Sequence, residues 1–322
     1  MRTSLSLVLG FSVFTSVFGL RLQADAVAWD GGGDGVAWND ANNWAAKSLP
    51  TPEDDVVISG VGAGVTIVLS GDATVRSLEC SASFTVASGV LSLTHGESHV
   101  DGAFTVAEAC ILRVTGGTTV FQANGTAVVD RAGLQALGGA VLSLPGAVSG
   151  GGQGQQWRAE GAGSRLVLGG LKSAVGGPSW QPLWVTASGG GRVELPELEQ
   201  VPGGQVNVSV DGEGSAVEMP KLTQLAEALV VDVGNGGSVG LAGLVDGSGV
   251  HVTLRAGGTI PLEQMTRISG LAVYGVAVTL PLVTSAEGTS LFAQAGAVVT
   301  LPGVVSGGGQ GQQWRAEGAG SR

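Results

Sequence analysis

Glu194 and Glu218 hold the same place in two short alternating runs, Val193-Glu194-Leu195 and Val217-Glu218-Met219. Stacking the runs as strands sets the two carboxylates side by side. Paired carboxylates are what acid–base cleavage of a glycosidic bond requires. The ladder stops there, because the next equivalent positions hold Gly240 and Thr279. With Asp232, these are the few outward acids per unit, and single acids on a strand face read as solvated groups. No catalytic residue is assigned.

His95-Gly96-Glu97-Ser98-His99 spaces two imidazoles four apart. On a helix that spacing presents two zinc ligands, but here it reads as a turn between strands and lacks the His-Glu-x-x-His order. No Gly-x-Ser-x-Gly elbow presents a serine nucleophile. The Gly-rich Ser149–Gln156 is followed by no Gly-Lys-Ser/Thr, so it reads as a wide corner rather than a phosphate loop, with Trp157 and its counterpart Trp314 pinning it to the rest.

The segment from Val27 to about Gly60 carries two further chemistries. Asp30, Asp34, Asp40, Asp54 and Asp55 are hard oxygen ligands of the kind calcium takes. Their spacing departs from the EF-hand, and turn chemistry accounts for Asp-Gly equally well. No cofactor is called for, and calcium is the one ion this loop would suit. Trp29, Trp38 and Trp44 read in two ways: as a glycan-stacking platform, or as the interior of a cap over an open sheet end. In a chain with 5 % aromatic residues, three clustered Trp favour the cap.

The elements that carry these residues follow from repetition. The whole of Ser149–Arg165 recurs unchanged as Ser306–Arg322, which marks an array made by duplication. Along the long unit, Leu-Pro or similar steps fall at Leu144, Leu168, Leu195, Met219, Leu241, Ile260, Leu280 and Leu301. One long unit is thus about seven short ones, and the second copy is expected to be truncated. Alternating runs precede each step, and a second set lies half a unit on: Val206/Val208/Val210, Leu229/Val231/Val233, Val250/Val252/Leu254 and Leu271/Val273. Period two means strands with one face in the core. Phe84-Thr85-Val86-Ala87 and Phe104-Thr105-Val106-Ala107 extend the short period toward the N-terminus.

Short units with at least two strands each cannot bury their apolar faces alone, but stacked coils can. Gly accounts for 57 of 322 residues, more than twice the usual ~7 %, which suits corners that need positive φ. The expected fold is all-β: a parallel β-helix (β-solenoid) over residues 61–322, with an N-terminal aromatic cap over 27–60. A propeller needs about twice the repeat length and a blade signature that is absent.

Met1-Arg2, the apolar Leu5–Leu20 and the small-x-small Ala24-Asp25-Ala26 form a signal peptide over residues 1–26, so the chain is expected to be secreted, extracellular or on the cell surface. No other stretch is long and apolar enough to span a bilayer. Without Arg2, Arg21 and Asp25 the chain has 13 basic and 25 acidic residues. An acidic chain without a basic stripe is a poor partner for nucleic acid or anionic membranes. Cys80 aligns with Val100 and Cys110 lies near Val90, on different sides of a coil, so two buried free thiols are expected. A bridge needs Cα atoms roughly 4.4 to 6.8 Å apart.

The spaced residues Trp29, Trp38, Asn43-Trp44, Leu49-Pro50 and Asp54-Asp55-Val56-Val57-Ile58 resemble an N-terminal module of large secreted bacterial proteins. In these, a W…W…NW…P…DDVVI stretch precedes Gly-rich β-helical repeats described as adhesin-like or autotransporter-passenger-like. The resemblance covers roughly residues 27–115. It implies a non-catalytic structural or adhesive surface protein, with surface polysaccharide or other cell-surface proteins as partners. The alternatives are a β-helix carbohydrate-active enzyme, either a polysaccharide lyase or a glycoside hydrolase, and a glycan-binding module.

Overall fold

The computed structural model describes residues 26–62 and 64–322. The expected signal peptide therefore lies outside the described residues except for Ala26, which opens the first strand, Ala26–Ala28. The only helical element among the described residues is one 3-10 turn, Ala41–Asn43.

The strands wind into a β-solenoid of about twelve turns with three sides. The first side is a ten-stranded sheet running from Ala26–Ala28 through Asp55–Ile58 to Ser238–Gly240. The second is a twelve-stranded sheet from Ala73–Val75 to Trp314–Glu317. The third is a five-stranded sheet from Thr66–Ser70 to Ala147–Gly151. At the usual spacing, twelve strands stack to about 50 Å. Within these sheets neighbours pair in parallel, as the coil-on-coil reading requires.

Register places the alternating residues as expected. On the twelve-stranded sheet Leu134 pairs with Trp157, Trp157 with Val185, Val185 with Val208, and Val208 with Val231. These inward side chains are buried and form one continuous ladder. Seven rungs carry Trp157 to Trp314, through Val252, Leu271 and Leu291. The long unit is therefore seven coils in space as well as in sequence.

The Leu-Pro steps are corner turns. Leu198 N–H bonds to the Leu195 carbonyl at 3.2 Å, Leu222 to Met219 at 3.2 Å and Leu244 to Leu241 at 3.0 Å. Both apolar residues of each turn are buried. Pro at the second position fixes φ for such a turn and needs no ladder N–H. At Ile260-Pro261 the turn is displaced: Met265 N–H bonds to the Leu262 carbonyl instead.

The third side was legible only in its first coils, where Phe84-Thr85-Val86 and Phe104-Thr105-Val106 belong to it. Beyond Gly151 it shrinks to two-residue pairings such as Gln200–Val201 with Gln224–Leu225, too short to show a period.

The cap closes the N-terminal end by completing two sheet edges. Ala26–Ala28 adds a strand beside Asp55–Ile58. Trp38 N–H bonds to the Val68 carbonyl at 2.9 Å, and Val68 N–H to the Val36 carbonyl at 2.9 Å, which satisfies the exposed edge of Thr66–Ser70. The expected boundary at residue 60 is not a break in the stack, because Asp55–Ile58 already pairs with Ser77–Cys80.

Candidate functional site

Trp29, Trp38 and Trp44 are buried, so they do not form the glycan platform. Trp44 sits between the other two, edge to face with each at 4.9 Å. Its Nε1–H donates to the Trp38 carbonyl at 2.8 Å. Trp38 meets Phe84 at 5.8 Å, and Phe84, Phe104 and Phe121 carry the aromatic column into the solenoid core. The cap and the coils thus share one interior.

The five Asp carboxylates are engaged locally and do not converge. Asp30 pairs with Lys47 at 2.8 Å, and that contact holds its carboxyl below the ordinary value. Asp34 accepts from the N–H groups of Ala37 and Val36 and from Asn43, which lower its pKa likewise. Asp40 caps the 3-10 turn. Asp54 accepts from Thr51, and Asp55 from Ser77. Among the described residues no group of three His, Cys, Asp or Glu is placed to hold a metal ion. Asn43, fully buried, organises this loop instead. Its oxygen accepts from Gly33 and Gly35, and its amide donates to Asp34 and the Ala37 carbonyl.

Glu194 and Glu218 are register partners, as the spacing predicted, and Gly240 follows Glu218. Arg165 grips both oxygens of Glu194 at 2.9 and 2.8 Å, and Arg192 lies 3.6 Å from Glu194 and 3.7 Å from Glu218. The Arg165 hydrogen bonds lower the Glu194 pKa. A general acid needs the opposite shift, and both Glu194 oxygens are already occupied. The cluster is a salt-bridge network on an outer sheet face.

His95 lies in a turn, but His99 belongs to the strand Glu97–Val100, correcting its placement between strands. His99 stands 3.8 Å from Asp101, which accepts from Asn124 at 2.8 Å, beside a shallow polar basin of about 440 Å³. A second concavity, about 340 Å³ and apolar, is lined by Leu291, Leu301 and Trp314. Cys80 and Cys110 are both buried and unpaired, and burial pushes the Cys80 thiol up to about 11.

The open aromatic surface lies elsewhere, on the coil between register partners Leu166 and Val193. More chain separates these partners than separates Leu142 from Leu166 or Val193 from Val217, the pairs on either side. Trp180 is 72 % exposed and Trp184 is 42 % exposed. Trp184 sits in the strand Leu183–Ser188, where Leu183, Val185 and Ala187 point inward. Trp184 therefore shares the outward phase with Thr186, and its register partners are Gln156 and Asn207. Trp180 projects from a loop tied on both sides: Gly154 N–H bonds to the Gln181 carbonyl at 2.9 Å, and Gly177 N–H to the Gln205 carbonyl at 3.1 Å.

Sequence reasoning missed this pair. The available signal was a Trp in the polar phase of an otherwise regular strand, on a coil longer than its neighbours.

The chain matches no protein-family model, and neither a curated protein nor a solved structure shows significant similarity to it.

Proposed function

We propose that this protein is a non-catalytic, secreted or cell-surface rod with a structural or adhesive role. One observation carries the reading: a parallel stack whose twelve-stranded side runs from Ala73–Val75 to Trp314–Glu317 over a continuous apolar ladder, sealed by an aromatic cap at its N-terminal end. Such a stack is a rigid spacer whose outer faces and corner loops are free to vary without disturbing the core. The outward charges support the same role. Arg165 with Glu194, Lys221 with Glu197, and Arg131 with Glu108 form ion pairs between residues well separated in the chain, lacing the rod along its surface.

A carbohydrate-active enzyme is the second reading, and Glu194 with Glu218 is its only specific support. Strand spacing puts such neighbours about 5 Å apart, near the separation that retaining glycosidases use. The Arg165 clamp on Glu194 argues against it.

The test has two arms. Antibody labelling of intact cells of the source organism should stain the surface or recover the chain from the medium, with the leader removed. Incubation of the purified mature chain with neutral and acidic polysaccharides should release no reducing ends and no unsaturated sugars. Retention inside the cell, or product release abolished by Glu194→Gln or Glu218→Gln, overturns the proposal.

A further inference from the structure

We propose that Trp180 and Trp184, with the amide side chains around them, form a binding platform for neutral glycans. The inference deepens the adhesive reading above and rests on it for biological sense, though not for its geometry. The first ground is exposure. A Trp that is 72 % exposed and another that is 42 % exposed, close together on one coil, are costly to leave in water without a ligand. Trp157, the other Trp on a coil with neighbours on both sides, is completely buried.

The second ground is the chemistry of the surround. Gln156 and Asn207 flank Trp184 in register. Gln153 is hydrogen-bonded to Gln181, and Gln205 donates to Asn207 at 2.7 Å. An amide side chain offers both donors and an acceptor, which matches the hydroxyls of a sugar, each of which donates and accepts. The C–H face of a pyranose is apolar and packs on an indole face. None of these flanking side chains carries charge, Arg158 beside Thr186 is ion-paired with Glu160, and the chain as a whole is −11, so an uncharged sugar fits better than a uronate or sulfated one.

The third ground is pre-organisation. At Gly176 and Gly177 the loop carrying Trp180 packs too closely for a side chain. A Cβ on Gly177 would overlap the Gln181 carbonyl oxygen, and one on Gly176 would overlap the Gly204 backbone. The loop is held from below by Gly154 and from above by Gln205. A site fixed before binding loses less entropy on binding. The Gly-rich start of the duplicated segment supplies Gln153 and Gln156, so its wide corner serves as one wall.

The test is retention of the mature chain on an array of neutral and acidic glycans, followed by titration of the best neutral oligosaccharide with tryptophan fluorescence as the signal. Binding to neutral glycans is expected, weakened at least tenfold by Trp180→Ala and by Trp184→Thr, with an unchanged circular-dichroism spectrum. Thr is the choice at 184 because it suits an outward strand position. Gly177→Ala is expected to weaken binding while leaving both rings present. Retention of acidic glycans only, no retention of any glycan, or binding unchanged in the Trp180→Ala/Trp184→Thr double variant each overturns the site. So does a monomer–dimer equilibrium in sedimentation that the double variant abolishes, since the patch then joins two copies. In the unchanged-binding case the adhesive reading survives and only this site falls.

Discussion

Trp157 and Trp314 hold the same inward position of the same sheet, seven rungs apart, yet Trp157 is fully buried and Trp314 is 54 % exposed. The sequence around them, Ser149–Arg165 and Ser306–Arg322, is identical. One local bond recurs in both copies: Ser164 Oγ donates to the Glu160 carbonyl and Ser321 Oγ to that of Glu317. The difference is the next coil, which covers Trp157 with Val185. Gly150 and Gly307 lie flat against the respective indoles, where a Cβ would crowd the ring. That contact is how each Trp pins its Gly-rich strand.

Replacing Trp157 by Ala should therefore cost about 3 to 5 kcal/mol. Trp157 Nε1 has no acceptor, whereas Trp314 Nε1 donates to the Thr289 carbonyl at 3.0 Å. Trp157→Phe, which removes the unpaired N–H, should accordingly be milder than Trp157→Ala. Urea unfolding followed by circular dichroism ranks the two variants.

Asn43 is the keystone of the cap loop. Asn43→Ala strands the N–H groups of Gly33 and Gly35, and should cost about 2 to 3 kcal/mol. Limited proteolysis should then cut within residues 29–44 before any other site. Asn43→Asp keeps the acceptor oxygens but sets a second carboxylate against Asp34. Its defect should shrink as pH falls through the carboxylate range.

Glu194 contributes acid sensitivity. Its pKa in the folded chain lies below the unfolded value because Arg165 bonds the charged form. Its stabilising contribution is therefore present above an unfolded value of about 4.3 and is lost as pH falls through the lower folded value. Glu194→Gln should flatten that part of the melting-temperature profile between about pH 5 and pH 3. At neutral pH its effect should be small, as for surface pairs in general.

Cys80 and Cys110 should resist alkylation in the native state. Both are buried, and burial raises both thiols, Cys80 to about 11, so little thiolate exists at mildly alkaline pH. Iodoacetamide labelling read by mass spectrometry should leave both unmodified until denaturant is added, and then modify both. Rapid native labelling would show that the coil edges open at these sites.

Much of the architecture was legible because it is periodic. Val206, Val208 and Val210 announce an inward face by alternation alone, and repetition at the next coil fixes their partners. The side-by-side placement of Glu194 and Glu218 followed from the same count. Beyond Gly151 the third side of the solenoid was not legible, since Gln200–Val201 is too short to show a period. His99 was placed in a turn because Gly96 hides how soon the next strand begins.

Sequence alone determined the stacking unit and the seven-coil duplication, since both follow from apolar spacing. It favoured a cap for Trp29, Trp38 and Trp44, and their burial in the structure then decided between the two readings. Only the tertiary structure decided what the charged and aromatic side chains do. Arg165 reaches Glu194 across 29 positions of sequence, and the Trp180 loop is clasped between coils at Gly154 and Gln205. Such contacts depend on which corners of successive coils lie over one another. Coils differ in length, as the step from Leu166 to Val193 against that from Glu79 to His99 shows, and that variation shifts the corners without leaving any mark in the alternation.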